Sequence, residues 1–509
     1  MSGENILIIL AIALYLVAML VVGFLFSKKN KNSEDFYLGG RKLGPFVTAM
    51  SAEASDMSSW LLMGLPGVAY LSGLCDAAWT AIGLAVGTWL NWFFVARRLR
   101  RYSDKLNAIT VPDFFSKRFH DKNNLLNAIA ALVIIVFFIP YTASGFAACG
   151  KLFGSLFGAD YTIAMIISAL VIVGYTIMGG FKAVSTTDMI QSCVMTLALV
   201  IVVSFGVHKA GGFDAVMDNA KSLPGYLDMA ATHNAEAGSS SDYGVLKIAS
   251  TLAWGLGYFG MPHILLRFMA IKNEKKLVLS RRIASVWVVI AMSVSIFIGI
   301  VGLGMTNAGV LDTLKGSDSE TVIVKIAGLI SKNGAFFAIV SGVILAGILA
   351  ATMSTADSQM LAAASSVSQN IIQDFFKVKL SEKMSLIVAR VAIVLISVIG
   401  IFIARDPNSS VFNIVSFAWA GFGGAFGAVM LCSLFWKRSN KWGALAGMIS
   451  GGATVFIWKY FVRPMGGILD IYELLPAFIV SLIMMVIVSL VTKAPDKEIE
   501  EEFMAAKAK

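Results

Sequence analysis

One carboxylate stands inside an apolar stretch. Asp56 lies in Ser51-Ala-Glu-Ala-Ser-Asp-Met-Ser-Ser-Trp60, and Leu61-Leu-Met-Gly-Leu-Pro-Gly67 continues the segment. At membrane depth a carboxylate costs roughly 2.5–3.5 kcal/mol on insertion scales, so it persists where something stabilises it. A hard cation held by oxygens answers that need. The hydroxyls of Ser55, Ser58 and Ser59, with carbonyls freed by a helix break, supply such oxygens. The bland reading is a carboxylate capping a helix end at the break, and the two roles are compatible. A second polar cluster is Ala350-Ala-Thr-Met-Ser-Thr-Ala-Asp-Ser358. There Ser354 and Ser358 share a helix face, with Thr355 and Asp357 between them in sequence. Small hydroxyl residues also serve as plain helix–helix glue. Asp188, in Gly179-Gly-Phe-Lys-Ala-Val-Ser-Thr-Thr-Asp188, is placed at the inner mouth of an apolar span. Trp254 and Tyr258, in Ala253-Trp-Gly-Leu-Gly-Tyr-Phe-Gly-Met-Pro-His263, either face a substrate or belong to packing and interfacial belts. Tyr141, beside Pro140, reads the same way. Glu53 is expected to face water or a basic partner.

The elements that position these residues are membrane spans. The chain has 509 residues, 57% hydrophobic and 14% charged, with mean hydropathy +0.78. A soluble protein carries about 25% charged residues. Apolar windows of about 20 residues, the length of a spanning helix, recur near 5–26, 44–72, 77–96, 124–149, 161–181, 189–208, 246–269, 283–306, 335–372, 385–404, 410–436, 442–462 and 471–492. That makes thirteen spans in a single transmembrane unit covering 1–509. The last third of 335–372 is expected to continue into the cytoplasm.

The first segment does not read as a cleavable signal, because Lys28, Lys29 and Lys31 follow its apolar stretch instead of preceding it. That charge order puts the N-terminus outside. Thirteen spans then put the C-terminal tail, 493–509, in the cytoplasm. Of the 41 Lys and Arg residues, 29 fall in the segments this topology places inside, whereas the long outer segment 209–245 holds only Lys209 and Lys221. This positive-inside bias explains the basic pI without nucleic acid. The destination is a plasma (inner) membrane. Cys75, Cys149, Cys193 and Cys432 have neither metal-ligand spacing nor an evident disulfide pattern. There is no Walker loop, dinucleotide fingerprint or nucleophile elbow, so ATP-driven transport and an enzyme are unsupported.

Two spans carry helix breakers at their middles: the second (polar patch 51–59, then Gly64, Pro66 and Gly67) and the seventh (three glycines and a proline between 255 and 262). Irregular backbone at membrane depth is tolerated only where it lines a cavity or is buried in protein. The two broken spans are five apart in order. Spans 2–6 (44–208) and 7–11 (246–436) therefore read as two five-helix repeats of opposite orientation, each opening with a discontinuous helix. This pattern points to a secondary transporter with its site at the midplane.

The run Ser-Asp-Met-Ser-x-Trp-Leu-Leu-Met-Gly-Leu-Pro-Gly over 55–67 resembles the sodium/proline symporters of the sodium/solute symporter family. So do Tyr37-Leu-Gly-Gly-Arg-Lys-Leu-Gly-Pro45, the segment from Trp254 to Pro262, and Met353-Ser-Thr355. The resemblance covers about residues 5–495. It implies an all-α, leucine-transporter-like core of inverted five-helix repeats, with one N-terminal and two C-terminal extra helices. It implies sodium-coupled uptake of L-proline, with sodium as the coupling ion and no other cofactor. By the same resemblance, backbone oxygens at Ala54, Met57 and Ala351 and hydroxyls at Ser354 and Thr355 hold sodium. Asp56, Arg41 and Asp188 act in coupling, and Ser58, Ser59, Tyr141, Trp254, Tyr258 and Pro262 contact proline. Arg41 also reads simply as a positive-inside loop charge. Three departures stand out: Ser59 where glycine is usual, Glu53 where a small residue is usual, and Asp357 where a small or hydroxyl residue is usual. Asp357 with Asp188 could hold a second cation, or Asp357 could face the cytoplasmic exit. Two other readings remain: the same fold carrying another small organic solute, and a passive channel, which two broken helices and sparse pore charge disfavour.

Overall fold

The computed structural model describes residues 3–27, 33–235 and 237–507. Lys28, Lys29 and Lys31, on which the outside N-terminus rests, lie outside the described residues. Among the described residues, ten helices are long and apolar enough to cross a membrane, from Gly3–Val22 to Leu474–Val491. Three shorter apolar helices, Trp60–Ser72, Tyr161–Ile177 and Val245–Phe259, fall on the expected second, fifth and seventh spans. They are short because the chain breaks there.

The first break lies inside the polar patch. Helix Pro45–Asp56 opens with proline at its start, where a missing N–H costs nothing, and Met57 leaves the helix at φ −76°, ψ 69°. The chain re-enters a helix at Trp60 and runs to Ser72. Gly64 and Gly67 do not break it. A side-chain carbon at Gly67 would lie 2.9 Å from the Glu320 backbone nitrogen, so its role is close packing. In the seventh span, helix Val245–Leu252 tightens into a 3-10 turn over Ala253–Phe259. It stops at Gly260 and Met261 and restarts with Pro262 as the first residue of Pro262–Ala270. The two broken helices are tied together at the ends away from the breaks: Leu43 N donates to Ala270 O (3.2 Å) and Lys272 N to Leu43 O (3.0 Å).

The third break departs from expectation. Tyr161–Lys209 is one helical run interrupted only at Gly180, φ 68° and ψ 173°, a conformation open to glycine. The sixth helix thus starts nine residues before the expected 189, and Asp188 is buried within it instead of standing at its mouth. The ninth span runs on as expected, as a continuous helix Ala335–Phe375. The segment 209–245 adds a small hairpin, Ala231–Asn234 with Ser239–Asp242, the one β-sheet among the described residues.

Two polar knots tie the ends of the bundle. On one side Glu320 takes the buried Lys151 ammonium at 2.8 Å. It also accepts from Ser410 Oγ (2.8 Å), Val411 N (3.0 Å) and Phe412 N (3.1 Å), satisfying the start of helix Val411–Phe422. On the other side the C-terminal helix Lys497–Lys507 inserts Phe503 between two guanidinium groups, Arg98 at 4.8 Å and Arg118 at 5.1 Å from the ring centre. Between these ends, Gly83 and Gly87 meet Gly255 backbone to backbone. A side-chain carbon at Gly255 would lie 2.2 Å from Gly83 O, and one at Gly87 would lie 2.4 Å from Gly255 Cα.

Candidate functional site

The break at 57–59 leaves Asp56 at a helix end with no access to solvent. Tyr258 from the seventh span donates its hydroxyl to Asp56 Oδ2. Asp56 Oδ1 has no hydrogen-bond partner among the described residues. The Asp56 carbonyl accepts from Ser58 N (2.8 Å), Trp60 Nε1 (3.0 Å) and Tyr141 Oη (3.3 Å). Thus Asp56, Tyr141 and Tyr258, distant in sequence, meet at one point.

Two residues earlier the same helix meets the ninth span. Ser354 Oγ donates to Ala54 O at 2.7 Å and lies 3.1 Å from Ala351 O. Thr355 Oγ1 lies 3.1 Å from the same Ala351 oxygen. Two hydroxyls and two carbonyls therefore converge in a buried space next to the break. Met57 stands at the break itself, three residues beyond Ala54. Hydroxyl hydrogens rotate, so Ser354 and Thr355 can turn lone pairs toward a cation without moving their oxygens. An all-oxygen donor set suits a hard ion.

The aromatic residues pack around this point. Trp254 stacks on Tyr472 (centroids 5.1 Å) and lies against Phe412 (5.3 Å), Trp60 (6.2 Å) and Trp419 (6.2 Å). Trp419 Nε1 donates to Trp254 O at 2.7 Å, and its ring meets Tyr258 edge-on at 5.0 Å. Ser58 Oγ accepts from Trp60 N at 3.4 Å, whereas the buried Ser59 Oγ has no partner among the described residues. Pro262 begins the second half-helix, and Asn91 Nδ2 fixes the preceding irregular backbone through Tyr258 O at 3.0 Å. Glu53 corrects the expectation that it meets water or a base. It is 1% exposed and accepts from Trp92 Nε1 at 3.0 Å.

A second charged cluster gathers around Arg267. Asp188 Oδ2 accepts from Ser51 Oγ (2.7 Å) and pairs with Arg267 Nη2 (3.0 Å). The same guanidinium reaches Ser358 Oγ (2.6 Å), Ser51 Oγ (3.0 Å) and His263 O (2.8 Å). Ser358 Oγ lies 3.3 Å from Asp357 Oδ1, so one chain of contacts joins both acids. Asp188 Oδ1 and Asp357 Oδ2 have no partner among the described residues. Asp357 is fully buried and does not face a watery exit. Sequence reasoning overlooked Arg267. Its signal was there: a lone cation in the apolar run Pro262-His-Ile-Leu-Leu-Arg-Phe-Met-Ala270. Arg41 sits elsewhere, holding Ala108 O (2.7 Å), Met269 O (2.9 Å) and Asp104 (3.5 Å).

Comparison with known proteins agrees with this geometry. Residues 36–451 match the family model described as the sodium:solute symporter family. The osmoregulated proline transporter OpuE of Bacillus subtilis is 42% identical over 492 residues, covering 96% of both chains. A sodium/proline symporter of Salmonella typhimurium is 41% identical over 498 residues, covering 97% of this chain and 95% of its own. Among solved structures, a Na+-coupled sialic acid symporter in a substrate-bound, outward-open state superposes with TM-score 0.79 at 20% identity, over 96% of this chain and 98% of that one. The transporter MhsT, solved with L-phenylalanine, gives TM-score 0.54 at 13% identity, over 88% of this chain and 98% of its own. These two show a shared all-helical transporter fold. With a family model spanning most of its length and full-length relatives above 40% identity, this multi-pass membrane chain belongs to the sodium:solute symporter family.

Proposed function

We propose that this protein takes up L-proline with sodium across the plasma membrane, its N-terminus outside and its C-terminal helix in the cytoplasm. The substrate is that of two relatives, a proline transporter at 42% and a sodium/proline symporter at 41% identity. The observation that carries the coupling is the convergence of Ala54, Ala351, Ser354 and Thr355 oxygens beside Asp56. Sodium is held there by the carbonyls of Ala54, Met57 and Ala351 and the hydroxyls of Ser354 and Thr355. The nearby Asp56 charge favours the cation, and its bond to Tyr258 transmits occupancy to the broken seventh span. Thirteen spans, with 44–208 and 246–436 as the inverted repeats, complete the architecture.

Proline sits at the two breaks, among Ser58, Ser59, Tyr141, Trp254, Tyr258 and Pro262. Two helices start there, at Trp60 and Pro262, and their positive ends suit the substrate carboxylate. The aromatic rings pack the pyrrolidine, and a Trp254 face suits its ammonium. Linkage follows: sodium steadies the break that carries Ser58 and Ser59, so each ligand tightens the other by the same factor. A tenfold coupling needs only about 1.4 kcal/mol. The test is uptake of labelled proline by proteoliposomes with and without an inward sodium gradient. Equal uptake in both would overturn the coupling, and sodium-driven uptake of a different solute would overturn the substrate.

The cluster around Arg267 supports a further reading. Arg267 pairs with Asp188 and reaches Asp357 only through the Ser358 hydroxyl, which leaves the Asp357 carboxylate without an ion pair of its own in a buried place. A second cation, sodium or proton, enters there with the first. Reversal potentials give charge per proline for wild type and Asp357→Ser. A wild-type ratio of one, unchanged by the substitution, would remove the second ion.

A further inference from the structure

A broad concavity on the bundle lies away from the site. It is a cavity of about 790 Å³ whose walls come from three elements: Phe46 and Met50 of the half-helix Pro45–Asp56, Cys193 and Val200 of Gly180–Lys209, and Val286 and Ile290 of Leu277–Asn307. Phe46, Val200, Val286 and Ile290 are 46%, 53%, 60% and 54% exposed, so the groove opens outward to the surface that lipid bathes. Its one internal polar pair is satisfied, since Trp287 Nε1 donates to Thr196 Oγ1 at 2.9 Å. At one end stands Arg282, exposed, with no ion pair among the described residues. Its neighbour Arg281 lies over the Phe93 ring at 4.9 Å, placing a second cation close by. Ser280 Oγ donates to Pro45 O at 2.8 Å and closes the groove at that same end.

We propose that this groove binds one anionic phospholipid of the cytoplasmic leaflet, its phosphate on Arg282 and one acyl chain along the trough. The leaflet rests on the orientation given under Proposed function. The charge fits: basic residues at the inner ends of spans attract anionic headgroups, which that leaflet carries. The length fits as well. Arg282 to Ile290 is eight residues of helix, about 12 Å, which stays within one half of a hydrocarbon core about 30 Å thick. The bound chain would do more than coat the surface. Met50 stands one helical turn before Ala54, so the lipid braces the half-helix that offers oxygens to the ion. The groove therefore ties lipid charge to the position of the first break.

The test uses the full chain in phosphatidylethanolamine vesicles containing a tracer of phosphatidylglycerol with a diazirine on its acyl chain. Photolysis and peptide mapping should concentrate adducts on residues 193–200 and 283–290. Unlabelled phosphatidylglycerol should compete and phosphatidylcholine should not. Arg282→Gln, at an exposed position, should lower adducts in the groove roughly fivefold, the worth of one basic residue against an anionic headgroup. Adducts on the outward face of Glu382–Ile403 serve as the reference for ordinary boundary lipid. Val286→Trp, which fills the trough, should abolish groove adducts while leaving the reference unchanged. Groove yields equal to the reference, equal competition by phosphatidylcholine, or yields indifferent to Arg282→Gln would each overturn the proposal. None of these readouts depends on transport, so they stand apart from the fate of the proline assignment.

Discussion

Arg267→Met removes the guanidinium that pairs with Asp188 and reaches Asp357 through Ser358. The side chain is 1% exposed and makes contacts of 3.0 Å or less with Ser51, His263, Asp188 and Ser358. Methionine nearly matches its length but cancels its charge, so Asp188 keeps only the Ser51 hydroxyl and Asp357 only Ser358. Breaking a buried pair from one side costs about 3–5 kcal/mol, chiefly because the surviving charge is left uncompensated. Arg267→Lys keeps the charge but cannot fork between Asp188 and Ser358, so its loss should be smaller. The decisive variant is the double, Arg267→Met with Asp188→Asn. Once the stranded carboxylate is neutral, the double should lose less than Arg267→Met alone, with a coupling of about 1.5–3 kcal/mol. Unfolding in detergent micelles, followed by tryptophan fluorescence across a denaturant series, measures all four members of the cycle. Strict additivity would refute the reasoning, because it would mean that Asp188 and Arg267 act independently despite their contact.

The other expectations concern the first site. Asp56→Asn should raise the sodium concentration for half-maximal uptake by about tenfold or more, about 1.4 kcal/mol, with Asp56→Glu milder; unchanged sodium dependence in the Asn variant would dismiss the charge as a coupling element. Ser354→Ala and Thr355→Val each remove one oxygen at nearly constant volume and should raise the same concentration; an effect confined to proline specificity at saturating sodium would move the cluster into the substrate pocket. Ser59→Gly should admit bulkier proline analogues, as read by competition with labelled proline. Trp254→Ala should weaken proline binding by removing a large packed ring, and unaltered proline affinity would place that ring outside the pocket.

Most of the fold could be read from hydropathy, because a bilayer forces apolar windows of fixed length. The two main breaks were also legible: Ser58 and Ser59 sit amid hydroxyls, and Gly260 with Pro262 cannot continue a helix. What escaped was geometry without a composition signal. Gly180 turns the chain between two helices with no polar loop, so the sixth span was started too late and Asp188 was set at a mouth instead of inside. Glu53 was judged by its charge, whereas its helix turns it into the core toward Trp92. Arg267 is one base in an apolar run, and its partners Ser51, Asp188 and Ser358 lie on other helices, so spacing does not reveal it. The pairing of Ser354 with Ala54 is a tertiary contact, and only the family resemblance, not spacing, pointed to it.

The glycine contact between Gly83, Gly87 and Gly255 divides the molecule into parts that can and cannot slide. Where backbones touch, any shear drives carbonyls into one another, and no side chain is available to give way. Helix Leu74–Lys105 and the outer half of the seventh span must therefore travel as a single rigid body. The half-helix Pro45–Asp56 meets the ninth span differently: its one direct hydrogen bond to it among the described residues is a serine hydroxyl on a carbonyl, which can be exchanged for another partner at little cost. Any hinge consequently lies at the hydroxyl seam and not at the glycine weld. Replacing Gly255 by alanine would prise apart the weld without touching a single ion-binding oxygen, and so would separate loss of a moving part from loss of a ligand.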